Sequence, residues 1–191
     1  ILDDPKQAAD QIHHALNVCL TQKRPVYLEI PRDQIYADIG DPIPMETPKN
    51  IPDPEALQEA LNESISMLTR AKRPVILVDI EIQRHGSQPQ VIALAERLQA
   101  PVCSTLLGKS AFPENHPAFA GVYSGSVGDP NMRELVETSD GLLMLGVLPT
   151  DINLGLFTAK FNPHATMDAS SDCVRIKHHT YPSVHLTEYV H

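Results

Sequence analysis

Only three cysteines occur in the 191 residues, Cys19, Cys103 and Cys173, an odd number at wide spacing. That excludes a disulfide framework or a zinc knuckle as the organising device. The apolar context of each predicts three buried, reduced thiols. No apolar run is long enough to cross a bilayer, and no signal-peptide pattern opens the chain. The expectation is a soluble, cytoplasmic protein. Basic tracts are also missing: 15 Lys and Arg stand against 24 Asp and Glu, for a formal net charge of −9. Such a balance repels phosphate backbones and argues against a nucleic-acid partner.

Motifs that carry chemistry are equally scarce. There is no H-E-x-x-H, no clustered carboxylate set, no G-x-S-x-G elbow, no P-loop and no Cys/His signature. Two adjacent pairs, His13-His14 and His178-His179, stand out among the nine histidines. Neighbours point about 100° apart on a helix and to opposite faces on a strand, so neither pair is arranged for joint ligation. Neither a metal site nor a catalytic residue is assigned.

What is present is α/β grammar. Hydrophobic content of 42% and charged content of 20% are ordinary for a globular domain with a real core. Ile1 to Asp4 read as the end of an earlier element, so the chain is expected to be an excised piece or a processed product. Asp4 as N-cap and Pro5 as first residue open a helix whose apolar stripe is Ala8, Ile12, Ala15, Leu16 and Cys19. Val26–Ile30 then predicts a short strand stopped by Pro31. One helix and one strand have too few partners to fold alone, so they read as the last αβ unit of a preceding domain. Pro31, Pro42, Pro44, Pro48, Pro52 and Pro54 follow within a stretch poor in aliphatic clusters, which predicts a linker over residues 32–53.

From residue 54 to 191 the pattern cycles. Asp53 caps a helix opened by Pro54, with Leu57, Ala60, Leu61, Ile65 and Leu68 expected on its buried face. Val75 to Val78 is an unbroken apolar run, the mark of a strand covered on both faces. A helix is predicted from about Pro89 to Leu98, a strand over residues 101–104, a helix over 130–138 and a strand over 141–146. Short strands around residues 165–168 and 173–177 complete the series. The fold class is α/β, a doubly wound parallel sheet of Rossmann-like type. Ligands in such sheets bind beyond the carboxyl ends of the strands, here residues 79–85, 105–109 and 147–153.

Candidate sites follow from that edge. Gly121, Gly125 and Gly128 form a Gly-rich turn, but their spacing is not the G-x-G-x-x-G of a dinucleotide fingerprint. Asp129 is expected to cap the next helix, where its carboxylate would compete with a phosphate for the terminal amides. Asp151 and Asn153 stand at another strand end, where Asp151 could bind a ribose hydroxyl, pair with a basic group or bond to the backbone of its own turn. Glu81, Arg84 and His85 follow a third strand, and Arg84 has the geometry to recognise a carboxylate.

Ordered segments then suggest a family: residues 24–31 (RPVYLEIP), 73–79 (RPVILVD) with Arg84-His85, 108–112 (GKSAF), His116-Pro117, 121–125 (GVYSG), 136–140 (VETSD), Leu145-Gly146, Asp151, Asn153, Gly155 and Phe157. Together they resemble the middle of a thiamine-diphosphate-dependent 2-keto acid decarboxylase of the pyruvate, indolepyruvate and phenylpyruvate decarboxylase group. The resemblance implies that residues 1–31 are the C-terminal tail of a pyrimidine-binding domain and that 54–191 are a non-catalytic central domain. It also implies that the cofactor-activating glutamate, the catalytic His-His pair and the Gly-Asp-Gly motif for magnesium diphosphate lie in other domains of the polypeptide. Thiamine diphosphate and Mg2+ would be bound there, by a homodimer or homotetramer. Gly121, Gly125, Asp151 and Asn153 become candidates for a vestigial pocket. Glu81 falls where some yeast-type enzymes carry an activation-linked cysteine, and Arg84 near the activator, so both are regulatory candidates. Two alternatives stay open: an FAD- or nucleotide-binding central domain of acetolactate-synthase-like or oxalyl-CoA type, and a non-enzymatic nucleotide-binding regulatory module.

Overall fold

The structure, a computed structural model, describes residues 1–45 and 53–191. The chain divides into two compact units, residues 1–51 and 52–191. Part of the expected linker, residues 46–52 with Pro48 and Pro52, lies outside the described residues.

The first unit is built on helix α1 (Pro5–Gln22). Asp4 caps it by accepting the Lys6 amide at 3.0 Å, and Pro5 occupies the first turn. The strand expected over Val26–Ile30 joins no ladder. Leu2 donates its amide to the Glu29 carbonyl at 2.8 Å, but this unit has no other strand among its described residues to complete a sheet. Val26, Leu28 and Ile30 are exposed, and Tyr27 is 85% exposed. Cys19, expected buried, is only half-buried; Cys103 and Cys173 are buried as expected.

The second unit is a seven-stranded sheet in the order β3-β2-β1-β4-β5-β6-β7. Its strands are β1 (Pro74–Val78), β2 (Val102–Thr105), β3 (Phe119–Tyr123), β4 (Gly141–Leu145), β5 (Thr166–Ala169), β6 (Val174–Ile176) and β7 (His179–Tyr181). Its helices are α2 (Pro54–Arg70), α3 (Ile80–His85), α4 (Gln88–Leu98), α5 (Pro130–Glu137) and α6 (Leu186–Val190). The strands from β3 to β5 are parallel, with Ile76 opposite both Val102 and Leu143.

Strand β6 reverses direction against β5, and β7 against β6. The expected parallel sheet, present from β3 to β5, thus ends in an antiparallel pair. Only residues 170–173 separate β5 from β6, whereas a parallel return needs a crossover of a dozen or more residues. Strand β3 and helix α3 are further corrections. The Gly-rich stretch that read as a turn from Gly121 is a strand as far as Tyr123, and the segment after Asp79 is helical rather than a loop.

Alternation along β1 builds two cores. Ile76 and Val78 face α2 (Ala60, Met67), α4 (Val91, Ala95) and α6 (Leu186, Tyr189). Val75 and Leu77 face Val136 of α5, Tyr123 and Phe161. A strand buried on both faces has no polar side to show, which is why its sequence runs apolar without a break. On α2 the buried line is Ala60, Ser64 and Met67, flanked by Leu57, Leu61 and Leu68. Ile65, expected inside, is 59% exposed because it lies one step around the helix from that line.

The antiparallel end is clasped to α2 through one side chain. Glu63 accepts from Lys177 Nζ at 3.1 Å, Tyr181 Oη at 3.2 Å and His179 Nδ1 at 2.9 Å. Partial burial would raise the Glu63 carboxyl, but the His179 and Lys177 bonds outweigh it and hold the group below its ordinary 4.5. A depressed carboxyl stabilises the fold above its unfolded pKa, and that contribution fades as pH falls through the folded value. Glu63→Gln is therefore expected to flatten the acid limb of a stability–pH curve below about pH 4.5; urea unfolding between about pH 3 and pH 6 is the measurement.

Candidate functional site

The strand order turns back between β1 and β4, the position at which sheets of this kind open a ligand crevice. Asp79 follows β1 directly and sits at that position, fully buried. Its carboxylate accepts the Thr105 hydroxyl at 2.6 Å, the Leu148 amide at 2.8 Å and Asn153 Nδ2 at 2.7 Å. Thr105 ends β2 and its oxygen also accepts the Gly108 amide at 3.0 Å. Asn153, fully buried as well, gives a second Nδ2 bond to the Leu148 carbonyl at 2.9 Å and takes the Leu107 amide at 3.1 Å. One carboxylate and one amide thus join the chain segments leaving β1, β2 and β4.

Burial pushes the Asp79 carboxyl up; the Thr105 and Leu148 hydrogen bonds oppose that and the nearby Glu81 charge adds to it. A raised carboxyl costs the folded state free energy once ionised. Its contribution is largest below the ordinary 3.8 and is lost as pH rises through the folded value. Bonds from three donors are what make a charge tolerable in that position.

The Gly-rich turn is closed in a similar way. Gly121 lies within β3, and a Cβ there would come within 2.8 Å of the Met132 sulfur. Gly125 has φ +50°, and its Cβ would lie 2.7 Å from the Leu154 carbonyl. Gly155 faces it, with the Ser124 carbonyl where its own Cβ would go. These glycines allow two loops to cross backbone against backbone. The Ser126 amide donates to Thr158 Oγ1 at 2.8 Å, and the Val127 and Gly128 amides both return to the Ser124 carbonyl. Asp129 caps α5 by accepting the Asn131 amide at 2.7 Å. The Ser126, Val127 and Gly128 amides, which face the position a phosphate would take in such a turn, are thus bonded to protein.

Of the candidates named from sequence, Asn153, Gly125 and Gly121 belong to this region, in packing and bracing positions. Asp151 is exposed and accepts the amide of its neighbour Ile152 at 2.8 Å, so it does not join Asp79. Glu81 does not line an open edge. It is fully buried on α3, where it accepts the Ser171 amide at 2.8 Å and the Ser171 hydroxyl at 2.7 Å, fastening the β5–β6 turn. Arg84 is half-buried one turn further along α3. The central residues, Asp79 and Thr105, were not singled out from sequence. Their one signal was position, a polar residue ending each of two apolar strands.

This geometry defines a class: an α/β domain on the nucleotide-binding plan whose switch-point crevice is filled by its own side chains. Residues 61–190 match the family described as "Thiamine pyrophosphate enzyme, central domain", and the chain belongs to that family. It is similar to an indole-3-pyruvate decarboxylase of Azospirillum brasilense, 34% identical over 99% of this chain and 34% of the relative. A pyruvate decarboxylase of Kluyveromyces marxianus is 31% identical over 97% of this chain and 34% of the relative. The X-ray structure of a Mycobacterium smegmatis protein assigned to the thiamin diphosphate-dependent enzymes shares the fold, with TM-score 0.56 and 22% identity over 88% of this chain and 30% of that one. The chain spans about a third of the length of these relatives. Among the described residues no group of three or more His, Cys, Asp or Glu could hold a metal ion, and no helix is long and apolar enough to cross a membrane.

Asn153→Ala removes a donor from Asp79 and a partner from the Leu107 amide, and is expected to destabilise the chain by about 2–3 kcal/mol. The double variant Asp79→Ala/Asn153→Ala should cost markedly less than the two single changes added together, because the two groups serve each other. Urea unfolding of the three variants checks both statements. Gly125→Ala should cost about 1 kcal/mol or more by the same assay, since both the positive φ and the Leu154 carbonyl oppose a side chain.

Proposed function

We propose that this chain is the central, non-catalytic domain of a thiamine-diphosphate-dependent decarboxylase that converts a 2-keto acid of the pyruvate, indolepyruvate or phenylpyruvate type to an aldehyde and CO2. The observation that carries the reading is the filled crevice. The Asp79 carboxylate, the Thr105 hydroxyl, the Leu148 amide and the Asn153 side chain at the switch point of a nucleotide-binding plan are engaged by one another. Family membership supplies the enzyme class.

These residues do not fit thiamine diphosphate and its magnesium ion. The crevice carboxylate is buried and satisfied by three donors, and the described residues hold no carboxylate cluster for a metal. Cofactor, Mg2+ and the reacting centre are accordingly assigned to pyrimidine-binding and diphosphate-binding domains of the same polypeptide. Residues 1–31 are taken as the tail of the first of these, and 32–53 as the linker. The parent enzyme is assigned as a cytoplasmic homodimer or homotetramer. The same filled crevice favours this reading over an FAD-binding acetolactate-synthase-like domain and over a nucleotide-binding regulatory module. Arg84, half-buried on α3 at the carboxyl edge of the sheet, keeps the regulatory assignment; Glu81 is assigned to bracing the β5–β6 turn.

The 191-residue chain is expected to show no thermal stabilisation by FAD, NAD or ADP, and no aldehyde formation from these keto acids with thiamine diphosphate and Mg2+ present. The intact polypeptide should form aldehyde under the same conditions. A clear melting shift with any of the nucleotides overturns the filled-crevice reading, and an inactive intact polypeptide overturns the decarboxylase reading.

A further inference from the structure

The carboxyl edge of the sheet in the second unit displays large apolar side chains in place of ligand-binding groups. Leu106 and Leu107 follow β2, Val127 follows β3, and Ile152, Leu156 and Phe157 follow β4; all six are exposed. They stand on loops that are bonded together. The Leu107 amide meets Asn153 Oδ1 at 3.1 Å, Ser124 Oγ meets the Ile152 carbonyl at 3.3 Å, and Ser126 meets Thr158. Gly125 and Gly155 bring the last two loops into backbone contact. The result is one braced platform.

Its outermost part is unusual in conformation. Leu156 and Phe157 are consecutive non-glycine residues at φ +57° and +60°, and they are 69% and 67% exposed. The left-handed region is unfavourable for side-chain-bearing residues and persists where the surroundings impose it. Here the Leu156 amide is held by the Asp151 carbonyl at 2.7 Å, and the Thr158 amide by the Leu154 carbonyl at 3.0 Å. Backbone strain is being used to hold two large apolar side chains outward. A soluble surface gains nothing from such a display unless something covers it.

Three occupants can be weighed. A nucleotide would seek phosphate-binding amides and a buried ribose-binding polar group; the Ser126, Val127 and Gly128 amides and the Asn153 side chain are engaged by the protein. A small apolar ligand is enclosed by its pocket, whereas side chains this exposed project from the surface. A folded protein surface is the occupant suited to projecting apolar residues on a rigid base. The chain spans about a third of its relatives' length, and on the reading of it as part of such an enzyme the remainder of the polypeptide supplies a surface of that kind.

We infer that the platform formed by Leu106, Leu107, Val127, Ile152, Leu156 and Phe157 is the docking surface for another folded domain of the same polypeptide, occupying the edge where the nucleotide-binding plan would place a ligand. The inference rests on the reading of this chain as the central domain of a larger enzyme. It adds which edge of that domain bears the contact and which side chains make it.

The test is thiol accessibility. Leu107→Cys and Phe157→Cys are introduced separately into the 191-residue chain and into the intact polypeptide, and labelling by a thiol reagent is followed by peptide mapping, which separates these positions from Cys19, Cys103 and Cys173. Thermal melts of the 191-residue variants should match the parent, because both side chains are exposed. The expected result is free labelling in the 191-residue chain and labelling slower by about ten-fold or more in the intact polypeptide, the protection that a covered site acquires. Equal rates in the two overturn the inference. So does protection in the 191-residue chain that grows with its own concentration, which would make a second copy the occupant, or protection of it by ADP or FAD. Labelling does not require activity, so an inactive but protected intact polypeptide refutes only the decarboxylase reading, and an active polypeptide with equal rates refutes only the docking surface.

Discussion

A buried carboxylate at the reversal point of a parallel sheet has to be satisfied by its surroundings, and in this chain that requirement organises the whole ligand edge. Asp79 draws a hydroxyl from the end of β2 and two N–H donors from the segment after β4. Asn153 is held by the same need, since its own amide must be satisfied on both sides once buried. Its bond from the Leu107 amide then ties down the loop after β2. Removing water from this spot makes each of these bonds stronger and each missing partner more costly.

The layers around the sheet support the same division of labour. Helices α2, α4 and α6 cover one face over a large continuous core, while the other face is covered by α5 and the segment that contains Phe161. Glu63 fixes the antiparallel strands to α2, so the end of the sheet that lacks crossover helices is still held to the better covered face. Rigidity is invested in fastening elements together. Polar side chains at the strand ends serve the fold, and apolar side chains are turned outward, the reverse of what a small-molecule site of this architecture requires.

Membership of the thiamine pyrophosphate enzyme central domains gives that arrangement a context. Fold alone does not assign function, because the nucleotide-binding plan hosts many activities. The first unit carries a related signature. Val26, Tyr27, Leu28 and Ile30 have strand-forming side chains, yet they stand exposed and outside any ladder. Apolar strand sequence without a sheet leaves unpaired backbone and apolar side chains in need of cover.

Much of the architecture could be read directly from local pattern. Asp4-Pro5, Asp53-Pro54 and Asp129-Pro130 each announce a helix start, because a carboxylate that accepts a free amide and a ring that needs none are properties of two adjacent residues. The unbroken apolar run of β1 announced a strand buried on both faces for an equally local reason. The same local logic failed where the outcome depended on distant partners. Val26–Ile30 has strand composition but no strand to pair with, β6 runs antiparallel because of the short turn before it, and Gly121 sits in a strand because β2 lies beside it. Glu81 looked like an exposed charge at a ligand edge until Ser171, 90 positions away, was found against it. Residue types and their spacing thus determined the elements and the family. Only the tertiary structure decided that Asp79, Thr105, Leu148 and Asn153 meet, because satisfaction of a buried charge is a property of the space around it and not of the residues next to it in the chain.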